Sequence, residues 1–420
     1  MVPEVPGVID THEAVVCNLC GARDGDVVAD EVRPIRTPAG DFAFHVRLAC
    51  CARCGLVYWT PRMKADVLAK YYEAVFRAPV PAAGVTDERR QQIRGRLDWL
   101  RRFVPRGALL EIGAGEGFFL QRAIEDGFDA TGLEPSRVYA QLARRIAPAA
   151  TIVEGFIDRY DAPASADVVC AFFVLEHSLD GLDFLQRCHR VLKPGGWCFL
   201  EVPDVSRYAS QTGDMLWHEH TYHFMPQTLT RLLARAGFRV ERLESPGPSY
   251  PFGMAVLAQR LPSGVADWDR DLPDRPSQQA AVTAFRAHAA LIGAYHAALR
   301  SFVAPLLERV RANGARLAVY GTGVFFDQMF LHTSLRPTDI ALVVDDNDEK
   351  WGTRTRQGLA IESPQRIKDS GIDIVLTGTD TFEAPVAAKA EALAADSRVA
   401  FALVRPHSGA LAGLAAMKVQ

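Results

Sequence analysis

Two Cys-x-x-Cys pairs, Cys17/Cys20 and Cys51/Cys54, carry the first chemistry legible in the chain. Each pair sets two thiols on one tight turn, the bite that a tetrahedral zinc ion takes. The residues between the pairs leave room for a small ribbon of strands, and Gly55 suits the turn after the second pair. Four thiolates fill zinc's coordination sphere, so this metal would serve folding and leave no position for a reacting water. Four buried cysteines without metal, or a redox dithiol, are the competing readings. Cys50, beside the second pair, reads as a packing residue.

A second group is Glu111-Ile-Gly113-Ala-Gly115-Glu-Gly117. It follows an apolar run and precedes a helical pattern, and its glycines let the backbone approach a ligand closely. Glu134 ends the next apolar segment, where a carboxylate accepts hydrogen bonds from ribose hydroxyls. A third is Trp217-His218-Glu219-His220-Thr221-Tyr222-His223. Imidazole titrates near neutral pH and a carboxylate can orient it, so this cluster points to acid–base catalysis. A metal at His218-x-His220 and a satisfied polar loop are the alternatives; His223 reads as structural.

Positioning these groups requires alternating strands and helices. Periodicity predicts a helix over Thr86 to Phe103, a strand over Ala108 to Ile112, a helix from Phe118 to Asp126 and a strand from Ala130 to Leu133. A helix from Val138 to Ile146 and a strand from Thr151 to Val153 follow. The strand Val168 to Val174, the helix Gly181 to Val191 and the strand Trp197 to Val202 complete the pattern. Strands this apolar imply a parallel sheet covered by helices. The first 85 residues read as short extended segments, and Asp267 to Gln279 as a linker. Beyond it come a long helix over Gln278 to Ala312 and strands at Leu317 to Tyr320, Ile340 to Val344, Ile372 to Leu376 and Val399 to Leu403. The stripe Ala281, Phe285, Ala289 and Ile292 on the long helix fits a sheet or a subunit interface. The expected organisation is a zinc-binding module over 1–85, a core over 86–265 and a second α/β domain over 266–420.

Composition bounds the function. At roughly 150 residues per domain, 420 residues suggest two or three domains. Hydrophobic residues at 49% and charged residues at 23% exclude wholesale disorder. With 47 basic and 50 acidic residues, net charge −3, no broad basic face is available for nucleic acid. Met1 to Asp10 lacks the basic start and apolar core of a signal peptide. No apolar run is read as approaching the roughly 18 residues of a membrane span. The expectation is a cytoplasmic protein with no membrane partner, whose eight cysteines bind metal rather than form disulfides.

The pattern acid-x-Gly-x-Gly-x-Gly resembles motif I of class I S-adenosylmethionine-dependent methyltransferases. Val174-Leu175-Glu176-His177 is similar to that family's strand-four motif, and Leu192 to Gly196 to its Leu-Lys-Pro-Gly-Gly turn. The resemblance implies an α/β Rossmann-like core binding S-adenosylmethionine through Glu111, Gly113, Gly115, Gly117 and Glu134. Phe156, Ile157 and Phe172 join that set, with Phe156 stacking where the family's usual acid is missing. A Rossmann unit for another nucleotide is the alternative.

The order of zinc module, methyltransferase core with a His-Glu-His segment and C-terminal Rossmann-like domain resembles the deoxysugar C-methyltransferase family across the whole chain. Val343 to Asn347 with Lys350 and Gly352, then Ile361 to Pro364, are similar to its last domain. The resemblance implies methylation of the carbon beside the ketone of a nucleotide-linked 4-keto-6-deoxysugar. It gives His220 as the base, Glu219 as its orienting group and His177 as donor to the enolate or holder of the sugar. Tyr72 and Tyr222 are secondary catalytic candidates. Trp217, Gly247 to Gly253 and Val324 to Phe326 depart from the family's pattern where substrate contacts would lie. Methylation of oxygen or nitrogen on another small molecule is therefore the rival reading, and a non-catalytic sensor a more distant one. Gly321-x-Gly323, with no acid expected at the right spacing, reads as holding the substrate's nucleotide, closing the cleft, or purely architectural. The assembly expected is a monomer or homodimer.

Overall fold

The computed structural model describes residues 12–37, 40–69, 87–211, 215–216, 219–262, 267–380, 382–397 and 400–417. Tyr72, Trp217 and His218 lie outside them. The chain divides into two compact units, Met1–His288 and Ala289–Gln420.

In the first unit, five N-terminal strands come first: β1 (His12–Glu13), β2 (Gly25–Thr37), β3 (Gly40–Cys51), β4 (Val57–Trp59) and β5 (Arg62–Met63). β2 and β3 form a hairpin of 13 and 12 residues, not the short segments expected. The central strands are β6 (Ala108–Ile112), β7 (Asp129–Glu134), β8 (Thr151–Glu154), β9 (Ala166–Phe172) and β10 (Leu192–Pro203). Next come β11 (Tyr222–His223), β12 (Phe238–Glu244) and β13 (Gly253–Arg260). The large sheet runs β12-β13-β10-β9-β6-β7-β8. β10 to β8 are parallel, but β13 is antiparallel to both β10 and β12. The sheet is therefore mixed, a correction to the all-parallel expectation. The helix Pro226–Arg235 carries the chain from β10 to β12 at the sheet's edge, and the loop 245–252 then folds β13 back between the two.

Alternation along the strands builds two cores. Leu110, Ile112, Val169, Leu200 and Val256 face the helices Gly181–Val191 and Pro226–Arg235. Leu109, Val168, Phe199 and Leu257 face the helices Asp87–Leu100 and Phe118–Glu125. A period of two is what lets one strand serve both layers. β6 sits where the strand order reverses, with β7 on one side and β9 on the other. In such sheets the crevice at the carboxyl ends of these strands holds ligands.

The stretch expected to be a linker is anchored in this unit. The Asp274 amide donates to the Arg53 carbonyl at 2.9 Å, and Arg231 pairs with the Asp274 carboxylate. Asp274 also caps the helix Arg275–Asn313, accepting from the Ser277 amide at 3.0 Å. That helix contains a window of mean hydropathy 1.3, long and apolar enough for a membrane span by length and composition. This corrects the expectation that no run approached one. Ala281 and Phe285 of its predicted stripe are buried, whereas Ala289 is exposed and Ile292 half-buried.

The second unit has a parallel sheet of β14 (Leu317–Tyr320), β15 (Ile340–Val344), β16 (Ile361–Glu362), β17 (Ile374–Thr377) and β18 (Ala402–Val404). Its order, β16-β15-β14-β17-β18, reverses at β14. An acid does end its second strand. Asp345, directly after Val344 as the sequence places it, accepts from the Thr322 amide (2.9 Å) and from Lys350 Nζ (2.9 Å).

Arg96 and Glu201 form a sealed ion pair, each side chain 2% exposed, joining the helix Asp87–Leu100 to β10. Arg96 Nη2 and Nε lie 2.7 and 2.8 Å from Glu201 Oε2, and Ser249 Oγ donates to the same carboxylate. Removing one partner of a buried pair strands the other charge. Arg96→Ala is expected to lower the stability of this unit by about 3–5 kcal/mol, read by urea denaturation. Replacing both Arg96 and Glu201 with apolar residues of matching volume should cost much less.

Candidate active site

The cysteine pairs close on one another. Cys17 and Cys54 sulfurs are 3.4 Å apart, and Cys20 and Cys51 sulfurs 3.5 Å. All four sulfurs lie within 4.8 Å of one another. Each pair sits on a backbone turn, with the Gly21 amide donating to the Cys17 carbonyl and the Gly55 amide to that of Cys51. Gly55 has φ +76°, and a Cβ there would meet the Gln278 amide nitrogen at 2.9 Å. Only glycine fits that turn without displacing the helix start. The spacing and donor type fit a tetrahedral zinc ion. Cys50 packs with its sulfur toward the Gly55 and Gln278 carbonyls, and burial pushes its thiol up to about 12.

The first knuckle also docks onto the core. Asn18 Nδ2 donates to the Asp180 carboxylate at 2.9 Å, and Asn18 Oδ1 accepts from the Leu182 amide at 2.8 Å. It thereby caps the helix Gly181–Val191 together with Asp180. Nothing in the sequence pattern marks this role.

At the sheet's reversal, the glycine loop leaves β6. The Gly113 and Ala114 amides donate to the Leu133 carbonyl. Gly117 has φ +86°, and a Cβ on it would lie 2.9 Å from Ala143 Cα, so the loop closes against the helix Arg137–Ile146. Glu134 is buried, accepting from the Gly115 amide and the Ser136 amide at 2.8 Å each. Burial holds its carboxyl above the usual range against those two bonds. Phe156 is 57% exposed beside buried Ile157, whereas the Phe172 ring packs on Phe119 and Phe199 with the Arg96 guanidinium over it at 4.2 Å.

The His-rich segment is held by the sheet of the N-terminal strands, in the order β11-β4-β3-β2. β11 pairs with β4, Tyr222 opposite Tyr58 and His223 opposite Val57. The Trp59 amide donates to the Thr221 carbonyl at 2.9 Å, and the Thr221 amide to the Glu176 carbonyl at 2.7 Å. This brings His220 beside His177, ring centroids 4.8 Å apart and edge to face. His177 Nδ1 lies 3.2 Å from the Glu219 carbonyl, which can only accept. Tyr222, a catalytic candidate by sequence, is buried and gives its hydroxyl to the Leu179 carbonyl at 2.9 Å. His223 is buried with its Nδ1 2.9 Å from the Tyr208 hydroxyl. Behind that pair, His288 Nδ1 donates to the Tyr208 carbonyl at 2.9 Å. A cavity of about 350 Å³ is lined by Tyr58, Trp59, Arg62, Asp180, Thr221 and Tyr222, among others.

Two carboxyls near the strand ends are sealed from water. Glu111 and Glu176 are each pushed up to about 8, chiefly by burial. Arg96 and Arg89 oppose the shift at Glu111. The folded protein thus keeps a proton on Glu111 that the unfolded chain, at about 4.5, releases. The folded state binds more protons between those values, so stability falls as pH rises through that window. We expect urea denaturation between about pH 5 and pH 8 to show this fall, at most about 1.4 kcal/mol per pH unit from this group. Glu111→Gln should remove this group's share of the fall and leave the share of Glu176.

Comparison with known proteins bears on this geometry. Residues 86–243 match a family model described as a methyltransferase domain. A protein of Mycolicibacterium smegmatis named as a probable S-adenosylmethionine-dependent methyltransferase is 31% identical over 171 residues, 40% of this chain and 66% of its own length. A ubiquinone biosynthesis O-methyltransferase of Paracidovorax citrulli is 32% identical over 118 residues, 26% of this chain and 49% of its own. The chain thus spans from about half to just under two thirds of the lengths of these relatives. The crystal structure of an S-adenosylmethionine-dependent methyltransferase from Mesorhizobium loti aligns at 21% identity with a TM-score of 0.35, covering 40% of this chain and 100% of that one. The reversal-point crevice, the glycine loop, Glu134 and the family match together identify residues 86–243 as a class I S-adenosylmethionine-dependent methyltransferase domain.

Proposed function

We propose that the chain is a C-methyltransferase acting on the carbon beside the ketone of a nucleotide-linked 4-keto-6-deoxysugar. The observation that carries this reading is the meeting of His220 and His177 at the carboxyl end of β9, next to the cofactor crevice. Carbon methylation needs a base for a weakly acidic proton and a partner for the enolate oxygen.

His220 takes the proton from the carbon beside the ketone and becomes imidazolium, then returns that proton to solvent. Glu219 orients it through the short turn they share. While His177 is neutral, its Nδ1–H belongs to the Glu219 carbonyl, so its Nε2 accepts from a sugar hydroxyl; protonated, it donates to the enolate oxygen. Tyr222 holds the segment rather than reacting, and Tyr72 remains a proposed contact of the sugar. Glu111, Gly113, Gly115 and Gly117 shape the cofactor loop, Glu134 takes the ribose, and Phe156 and Ile157 flank the adenine with Phe172 beneath. Bound S-adenosylmethionine supplies an activated methyl group, which the enolate carbon takes as the sulfur–carbon bond breaks. Proximity then carries much of the step.

Zinc on Cys17, Cys20, Cys51 and Cys54 has a structural role in this reading, within a module of residues 1–85 preceding a core of 86–265 and a C-terminal domain of 266–420. It fixes the turn leading into β4, and through β4 the place of His220. Purified protein should hold one equivalent of zinc in this cluster. Cys51→Ser should lose it, with a fall in methyl transfer and only a small change in S-adenosylmethionine affinity, since the cofactor loop belongs to other strands.

A second reading, oxygen methylation of another small molecule, is favoured by the curated relatives named as O-methyltransferases. Methyl-labelled S-adenosylmethionine and a panel of keto-deoxysugar nucleotides in deuterium oxide separate the two. We expect label on carbon, with solvent deuterium exchanging at that carbon. His220→Asn should lose both by about 10²-fold or more. Label on oxygen, with no carbon-bound proton lost, would sink the enolate mechanism.

A further inference from the structure

We propose that Glu176, His177 and His220 form a second cation site that takes a zinc-type divalent ion. A carboxylate oxygen and one nitrogen from each ring lie within 4.8 Å of one another. Glu176 is 1% exposed, and neither of its carboxyl oxygens has a hydrogen-bond partner in another residue. A buried carboxylate with no partner is costly, and a cation or a proton relieves the cost. The backbone holds the three groups in place, through the Thr221 amide on the Glu176 carbonyl at 2.7 Å.

The surroundings also resemble a ligand set. His177 gives its Nδ1–H to the Glu219 carbonyl, the contact that fixes a ligating imidazole's tautomer and leaves Nε2 unprotonated. Both rings are half-buried, so an ion can reach them. Two imidazoles and one carboxylate are three protein ligands, which leaves coordination positions open, unlike the closed cysteine cluster. Imidazole nitrogen selects zinc, cobalt or nickel over magnesium and calcium, which favour oxygen. One consequence rests on the proposed role of His220 as base. An ion there takes the lone pair that removes the substrate proton, so its occupation silences the enzyme.

The test is a titration of the full chain, its cysteine cluster already loaded with zinc, by zinc in a calorimeter and by cobalt in the visible spectrum. Wild type should take one further equivalent. Cobalt there should give weak ligand-field bands without the strong thiolate-to-cobalt charge transfer of a cysteine site. Glu176→Gln and, independently, half-buried His177→Gln should each weaken that equivalent about tenfold or more, with S-adenosylmethionine affinity retained as the check on folding. No further equivalent in wild type would overturn the site, as would both variants titrating like wild type. The titration needs no methyl acceptor, so it stands or falls apart from the reaction proposed above. A bound second ion that leaves methyl transfer undiminished would refute the silencing and, with it, His220 as base.

Discussion

The ladder between Val57–Tyr58 and Tyr222–His223 is the contact on which the candidate site depends. A strand of two residues has little stability alone. Here it is completed by a sheet whose neighbouring turns carry the four cysteines. The same module grips the core a second time through Asn18, which lies between two of those cysteines and caps the helix Gly181–Val191. His220 is thus positioned from both sides, by the module through Thr221 and by the core through Glu176.

The methyltransferase core places its chemistry by topology. Reversal of strand order at β6 opens a crevice, and alternation along β6, β9 and β10 fills both layers beneath it. Ionisable groups are sealed into that packing at Glu111, Glu176 and the Arg96–Glu201 pair. They differ in kind. Glu201 has a guanidinium and a hydroxyl to neutralise it, whereas Glu176 has neither and is held above its ordinary range by burial. Perturbed, unpaired groups beside a crevice mark places where a ligand completes the electrostatics.

The second unit repeats the architecture with its acid already satisfied. Asp345 stands where a ribose-binding carboxylate would, but against the upward push of burial the bonds from Thr322, Asn347 and Lys350 hold it below the usual range. A cleft of about 520 Å³ in that unit is lined by Tyr320, Trp351, Lys368 and Lys389, among others.

The sequence by itself determined the class of the core and its motifs. Apolar runs, helical periodicity and the glycines from Gly113 to Gly117 are local signals, set by backbone geometry and side-chain burial within a few residues. The strands at Ala108 and Leu317 and the helix at Gly181 accordingly start where periodicity put them. The four cysteines were legible because zinc geometry dictates spacing within each pair. Tertiary structure alone decided the antiparallel edge formed by β12 and β13, the pairing of β11 with β4, the anchoring of Asp274 and the capping by Asn18. The β12–β13 ladder joins residues 11 to 22 positions apart and the other contacts residues from roughly 40 to over 200 apart; no local rule links a cysteine knuckle to a histidine that far along the chain. The isolation of Glu176 is of the same kind, since burial and the lack of a partner are properties of the packed surroundings and not of the residue.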